Sequence, residues 1–188
     1  MGFPVSYYLG LRRGEALGLR WGDFEGDQVH IQRDIDYSRS TAADDTLKTE
    51  AADRYVPVPP ELKKMLDKKR GAPDELVFHN TKNRPLPQAT FKRMWCELMV
   101  AAGCAVWREG GEKERDIRKQ VKPTLTPHYF RHNYVTMLYE SGIDPLVAMR
   151  IVGHANYQTT ADIYTHIKED TLRRAAVDLN GVFRKREK

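Results

Sequence analysis

Val152-Gly-His-Ala-Asn-Tyr-Gln-Thr-Thr-Ala-Asp-Ile-Tyr-Thr-His166 holds a histidine, His154, and a tyrosine, Tyr164, separated by about two helical turns and a loop. A tyrosine by itself is usually a half-buried packing residue whose hydroxyl finds one hydrogen bond, and that reading suits most of the nine tyrosines here. What singles out Tyr164 is its company. Upstream lies Thr126-Pro-His-Tyr-Phe-Arg-His132, in which His128 and Arg131 stand three apart and share one helical face. Near the start lies Gly10-Leu-Arg-Arg-Gly-Glu-Ala-Leu17, with Arg12 at the break between two helical stretches.

Working outward, the apolar positions Val5, Tyr8, Leu9 and Leu11 predict a helix broken by Gly10, then a short helix through Glu15, Leu17 and Leu19. Residues 29–37 alternate at period two and predict one strand, while Ser38 to Asp45 reads as polar turn. Thr46-Leu-Lys-Thr-Glu50 and Arg54-Tyr-Val-Pro-Val-Pro59 predict the two sides of a hairpin, with Lys48 near its tip. Helices are expected after Pro60, from about Gln88 to Ala102 with Phe91, Trp95, Leu98 and Ala102 on one face, from Thr126-Pro127 to Gly142, and from Asp144-Pro145 to Gly153. A turn or short helix should carry Thr159 to Tyr164, and Leu172, Ala175, Ala176 and Leu179 predict a last helix. Cys104 to Lys122, charged and glycine-broken, reads as a surface loop. The fold class is α+β, mainly helical, with a small antiparallel sheet in the N-terminal third.

Length and composition narrow the function. A chain of 188 residues, 40% hydrophobic and 30% charged, suits one domain with one good core, and it has no apolar run long enough to span a bilayer. Cys96 and Cys104 have no paired metal spacing and read as reduced thiols of a cytoplasmic protein. The opening Met1-Gly-Phe-Pro-Val-Ser6 matches a loose myristoylation pattern, but the residues that follow read as core. The net charge of +5 suits a polyanionic partner. Between Pro60 and Arg93, nine Lys and Arg face four Asp and Glu, so this segment alone matches the whole excess. Lys82, Arg84, Lys92 and Arg93 flank a turn and a helix start there and are candidate contacts to DNA phosphate.

The three quoted segments together resemble the tyrosine recombinases, the phage integrases and their relatives, over nearly the whole chain. The resemblance implies a DNA breaking-rejoining catalytic domain spanning 1–188, with Arg12, Lys48, His128, Arg131, His154 and Tyr164 as its catalytic set. Two arginines would hold the non-bridging oxygens of a phosphodiester, since the guanidinium offers a planar fork of donors and stays charged. Lys48 would protonate the departing sugar hydroxyl, and the histidines would serve the phosphate and the Tyr164 proton. Such chemistry conserves bond energy in a 3'-phosphotyrosyl link and calls for no cofactor and no metal. The partner would be double-stranded DNA at specific sites, bound by a homo-tetramer, in a phage or mobile-element setting. Such proteins usually carry a helical clamp domain ahead of the first arginine motif, so a catalytic-domain fragment is expected, and the C-terminal Phe183 to Lys188 segment is a candidate contact to a neighbouring protomer.

Three other readings compete. His128 and His132 have zinc-helix spacing, but the metalloprotease pattern needs Glu where Tyr129 stands. A DNA-binding module of the same fold without efficient catalysis, and a type IB topoisomerase, share parts of the motif set. Glu15, three residues from Arg12, either orients that guanidinium or forms an ordinary surface pair.

Overall fold

The computed structural model describes residues 2–37, 43–46, 52–154 and 156. Lys48, Tyr164, the turn expected at Thr159 to Tyr164 and the expected last helix lie outside the described residues. Helix α1 (Gly2–Leu9) ends at Gly10, and α2 (Arg13–Leu17) follows after two residues. The junction demands glycine at position 10. Its φ is +60°, and a Cβ there would stand 2.3 Å from the Tyr134 ring. That close approach seats the junction on the helix that carries Tyr134.

Among the described residues the strands make three small antiparallel units. Strands β1 (Phe24–Glu25), β2 (Gln28–Ile31) and β5 (Arg54–Pro57) form one sheet in the order β1-β2-β5, with Val29 opposite Val56 and Ile31 opposite Arg54. Strand β3 (Arg33–Asp36) pairs with β4 (Ala43–Thr46) in a second unit. The single strand expected over residues 29–37 is therefore two. Gln32 interrupts it, its side-chain amide donating to Asp23 Oδ1, and the pairing partner changes there from β5 to β4. The expected polar turn through Asp45 is likewise corrected, because backbone pairing with β3 makes residues 43–46 a strand despite two aspartates.

Helices α3 (Pro60–Asp67), α4 (Gln88–Ala101), α6 (Pro127–Glu140) and α7 (Pro145–Val152) fall where the sequence places them. The inward face of α4 is Trp95, Cys96 and Met99, whereas Ala102 is exposed, so the expected face is rotated by about one residue. Trp95 sets the reason: its ring meets Phe130 of α6 edge-on at 5.6 Å, and its Nε1 donates to the Leu125 carbonyl just ahead of α6. The segment Cys104 to Lys122 is no plain loop. Strands β6 (Ala105–Trp107) and β7 (Val121–Pro123) pair as a hairpin, with the one-turn helix α5 (Ile117–Gln120) between them, capped by Asp116. Charged side chains point outward while the backbone ladder closes, so composition hides the strands. Both cysteines are free thiols.

One apolar core joins Val5, Leu9, Leu11, Leu17, Val29, Ile31, Val56 and Leu62, and a second joins Tyr134, Val135, Ala148 and Val152 between α6 and α7. Ile151 packs against both. Thr126 precedes α6 without capping it through its side chain, but Asp144 caps α7 by accepting from the Leu146 and Val147 amides. Asp144→Ala is expected to cost about 1 kcal/mol, read as a lower midpoint in urea unfolding.

Candidate phosphate-binding site

The site grows from one buried carboxylate. Glu15 is 1% exposed, since α2 is too short and too enclosed to turn a face to solvent. Its Oε2 accepts from the Arg12 amide at 2.8 Å and from Arg54 Nη2 at 3.0 Å, and its Oε1 from Arg12 Nη1 at 2.7 Å and Arg54 Nη1 at 3.2 Å. Arg131 Nη1 stands 3.7 Å from Oε2. The pair of Glu15 and Arg12 is thus no surface pair but part of a cluster around a buried carboxylate, in which, among the described residues, one negative charge faces three guanidinium groups. Burial works to raise the Glu15 carboxyl, but the Arg54 hydrogen bonds and charge, the Arg131 charge and the Arg12 amide hold it below its ordinary value.

Arg131 is 1% exposed and lies in register with Tyr134, Val135 and Leu138 on the inward face of α6. Its Nη1 donates to the Gly10 carbonyl at 3.1 Å, while its Nε and Nη2 are buried with no hydrogen-bond partner among the described residues. Burial first, then Arg12 and Arg54, push Arg131 down to about 9 against the pull of Glu15, so it remains a cation at neutral pH. A buried cation with two donors left over by the protein is costly unless a ligand or water completes it.

Arg12 reaches across from the α2 start to donate to the Gly153 carbonyl at 3.1 Å, tying the first arginine to the turn that bears His154. Burial, then the charges of Arg131, Arg12, His128 and Arg54, push His154 down to about 4. Burial, Arg131, Arg12 and His132 lower His128 as well. His154 is therefore neutral near pH 7 and offers hydrogen bonds rather than charge.

The fold thus brings Arg12, His128, Arg131 and His154 into one electropositive locus, and Lys48 and Tyr164 lie outside the described residues. His154 also lines a 750 Å³ cleft with Arg54, Tyr55, Met149 and Ile151. Lys82, Arg84, Lys92 and Arg93 are all exposed, the first two on a turn whose Asn80 side chain accepts from both backbone amides. Arg93 lies 3.8 Å from Glu97 in an exposed pair. Among the described residues no group of three or more His, Cys, Asp or Glu is placed to hold a metal, and no helix is long and apolar enough to cross a membrane.

Two arginines escaped sequence reasoning. Arg13 stacks its guanidinium 5.0 Å above the Tyr37 ring and 5.7 Å from that of Phe91, which a scan for charge alone does not find. Arg54 is 8% exposed, and the sequence carries the signal: it keeps period two with the buried Val56 on β5 and with Val58 just beyond it, which assigns it to the inner face.

Helices packed around small antiparallel sheets, with two arginines and a neutral histidine gathered in one electropositive locus, are the features of an integrase-type catalytic domain. Matching folds include the Tn1549 transposon integrase, solved in complex with circular intermediate DNA, at a TM-score of 0.69 and 20% identity over 93% of this chain and 57% of that one. The catalytic domain of bacteriophage HP1 integrase matches at 0.52 and 18% identity over 93% of this chain and 78% of that one. The chain belongs to the phage integrase family, whose model matches residues 3–171. A tyrosine recombinase of Thermosipho africanus is 30% identical over 88% of this chain, and a XerC-like tyrosine recombinase of Caldanaerobacter subterraneus is 26% identical over 96%. The chain spans about half the length of these two relatives, 48% and 49%.

Proposed function

We propose that this chain is the catalytic domain of a site-specific DNA recombinase that cuts and rejoins strands through a 3'-phosphotyrosyl link. The observation that carries the reading is Arg131, buried with Nε and Nη2 idle beside Arg12, in a cluster where one carboxylate serves three cations. A phosphodiester supplies the missing negative charge and the missing acceptors together.

In this reading Arg12 and Arg131 hold the two non-bridging oxygens and stabilise the charge that builds on them as phosphorus becomes five-coordinate. The Tyr164 oxygen attacks phosphorus, and the bond to the 5'-oxygen of the departing strand breaks. Lys48 gives that oxygen its proton, yielding a free 5'-hydroxyl. Neutral His154 hydrogen-bonds the phosphate, and His128 assists the Tyr164 proton. Rejoining is the reverse, with a 5'-hydroxyl attacking the phosphotyrosine, so no energy source is needed. Lys82, Arg84, Lys92 and Arg93 add exposed positive charge for the DNA backbone. The working assembly is a homo-tetramer on double-stranded DNA, inside the cell that carries a phage or mobile element. The DNA partner draws support from the relatives' names and from the Tn1549 integrase complex.

The test is covalent capture. The 188-residue chain is incubated with a pool of nicked duplexes of random sequence, and adducts are isolated by denaturing gel and sequenced. A protein-linked strand is expected from the parent chain and none from Tyr164→Phe. An adduct that survives Tyr164→Phe removes that residue as nucleophile, and a parent chain giving no adduct removes the strand-cleavage reading.

A further inference from the structure

The four best contacts to Glu15 involve only two residues. A carboxylate offers about four lone-pair positions. The Arg12 amide, Arg12 Nη1, Arg54 Nη1 and Arg54 Nη2 occupy them at 2.7–3.2 Å. Arg131 Nη1, at 3.7 Å, lies beyond hydrogen-bond range and turns to the Gly10 carbonyl instead. Glu15 is saturated before Arg131 can claim it.

We propose that Arg54 is a positioning residue for phosphate binding: it occupies Glu15 so that Arg131 keeps its donors for the substrate, and it holds the turn bearing His154 in place. The second half rests on its other two bonds. Arg54 Nε donates to the Ile151 carbonyl at 2.8 Å, at the end of α7, and Nη1 to the Ala52 carbonyl at 2.9 Å, in the segment leading back toward Lys48. The turn is folded around this guanidinium. A Cβ on Gly153 would stand 2.7–2.9 Å from Nη1, Cζ and Nε of Arg54, and the residue's φ of +73° also favours glycine. Arg54 therefore joins the Glu15 carboxylate that Arg12 also holds to the end of α7, just ahead of His154. Without its fork, Glu15 is free to form a bidentate pair with Arg131, and the phosphate must then displace a carboxylate.

This role rests on the strand-cleavage reading above, and it is tested on a duplex selected by adduct capture. Arg54→Lys keeps the charge but loses the planar fork. Single-turnover cleavage is expected to fall about 10- to 100-fold, the range in which outer partners of a charged site act, while binding of the intact duplex changes by less than roughly 3-fold. Coupling separates positioning from mere structure. In an Arg131→Met background the part of the role that runs through Arg131 is gone and only the hold on the His154 turn remains, so adding Arg54→Lys should cost at least roughly 3-fold less than it does in the parent. A folded Arg54→Lys chain that cleaves like the parent overturns the proposal, and so does an unchanged penalty in the Arg131→Met background. Gly153→Ala, which pushes on the guanidinium from the other side, is the second variant, and the same losses are expected of it. If both variants fail to fold, Arg54 is a determinant of the fold and the positioning role is overturned. A parent chain that forms no adduct sinks the cleavage reading and this role with it; a cleaving parent and an equally active Arg54→Lys chain sink this role alone.

Discussion

Arg131→Met is expected to slow DNA strand cleavage by about 10²- to 10³-fold, the loss typical when one preorganised donor to a developing oxyanion is removed. Folding stability should change by less than about 1 kcal/mol. Those two results belong together. The methionine fills a similar volume on the inward face of α6, so the packing of Tyr134, Val135 and Leu138 survives. The bond from Nη1 to the Gly10 carbonyl is lost, which costs on the order of 1 kcal/mol. Against it stands the removal of a buried cation with two donors unpartnered among the described residues, whose desolvation Glu15 at 3.7 Å offsets only in part. Calorimetry and single-turnover cleavage on the captured duplex measure the two halves. A chain that is much less stable yet still cleaves normally would mean that Arg131 holds the fold together and does not serve the phosphate.

Glu15→Gln has the opposite signature. Removing the one carboxylate leaves three guanidinium groups facing a neutral amide whose NH₂ repels them, and breaking such a buried pair costs about 3–5 kcal/mol. For a chain of this size the melting temperature should fall by roughly 6–20 °C. The pH dependence follows from the carboxyl being held below its ordinary 4.5 in the folded state. A depressed folded value means the unfolded chain takes up the proton first. The stabilisation from Glu15 is therefore complete above about 4.5 and is lost as the pH falls through the lower folded value. Acid unfolding of the parent should steepen below that point, and Glu15→Gln should flatten this part of the curve while lowering stability near neutrality. Equal melting temperatures for the two chains at pH 7 would contradict the buried cluster.

Much of the scaffold can be read without coordinates because its signals are local. Pro127 and Pro145 open helices, Gly10, Gly142 and Gly153 end them with positive φ, and apolar spacing sets the inward faces. Where the sequence reading fails, the deciding interactions are distant. Gln32 breaks a strand because Asp23 offers a partner. Residues 43–46 become a strand because β3 lies alongside. The charged hairpin at 105–123 closes through its ladder, which composition does not encode.

The candidate site divides in the same way. Arg12, His128, Arg131, His154 and Tyr164 are legible as candidates because their chemistry and the quoted motifs mark them, and Lys48 only through the family resemblance. The sequence by itself named the side chains proposed to bind and attack a phosphodiester, and determined that the chain is helical with a small antiparallel sheet. Only the tertiary structure decided that Glu15 is buried and shared, that Arg54 completes its coordination from β5, and that Arg131 is left with donors to spare. The physical reason is that burial and hydrogen-bond saturation depend on every group that meets at a point. Arg12, Arg54 and Arg131, from three separate elements, meet at one carboxylate, and no local pattern specifies how its four positions are divided among them.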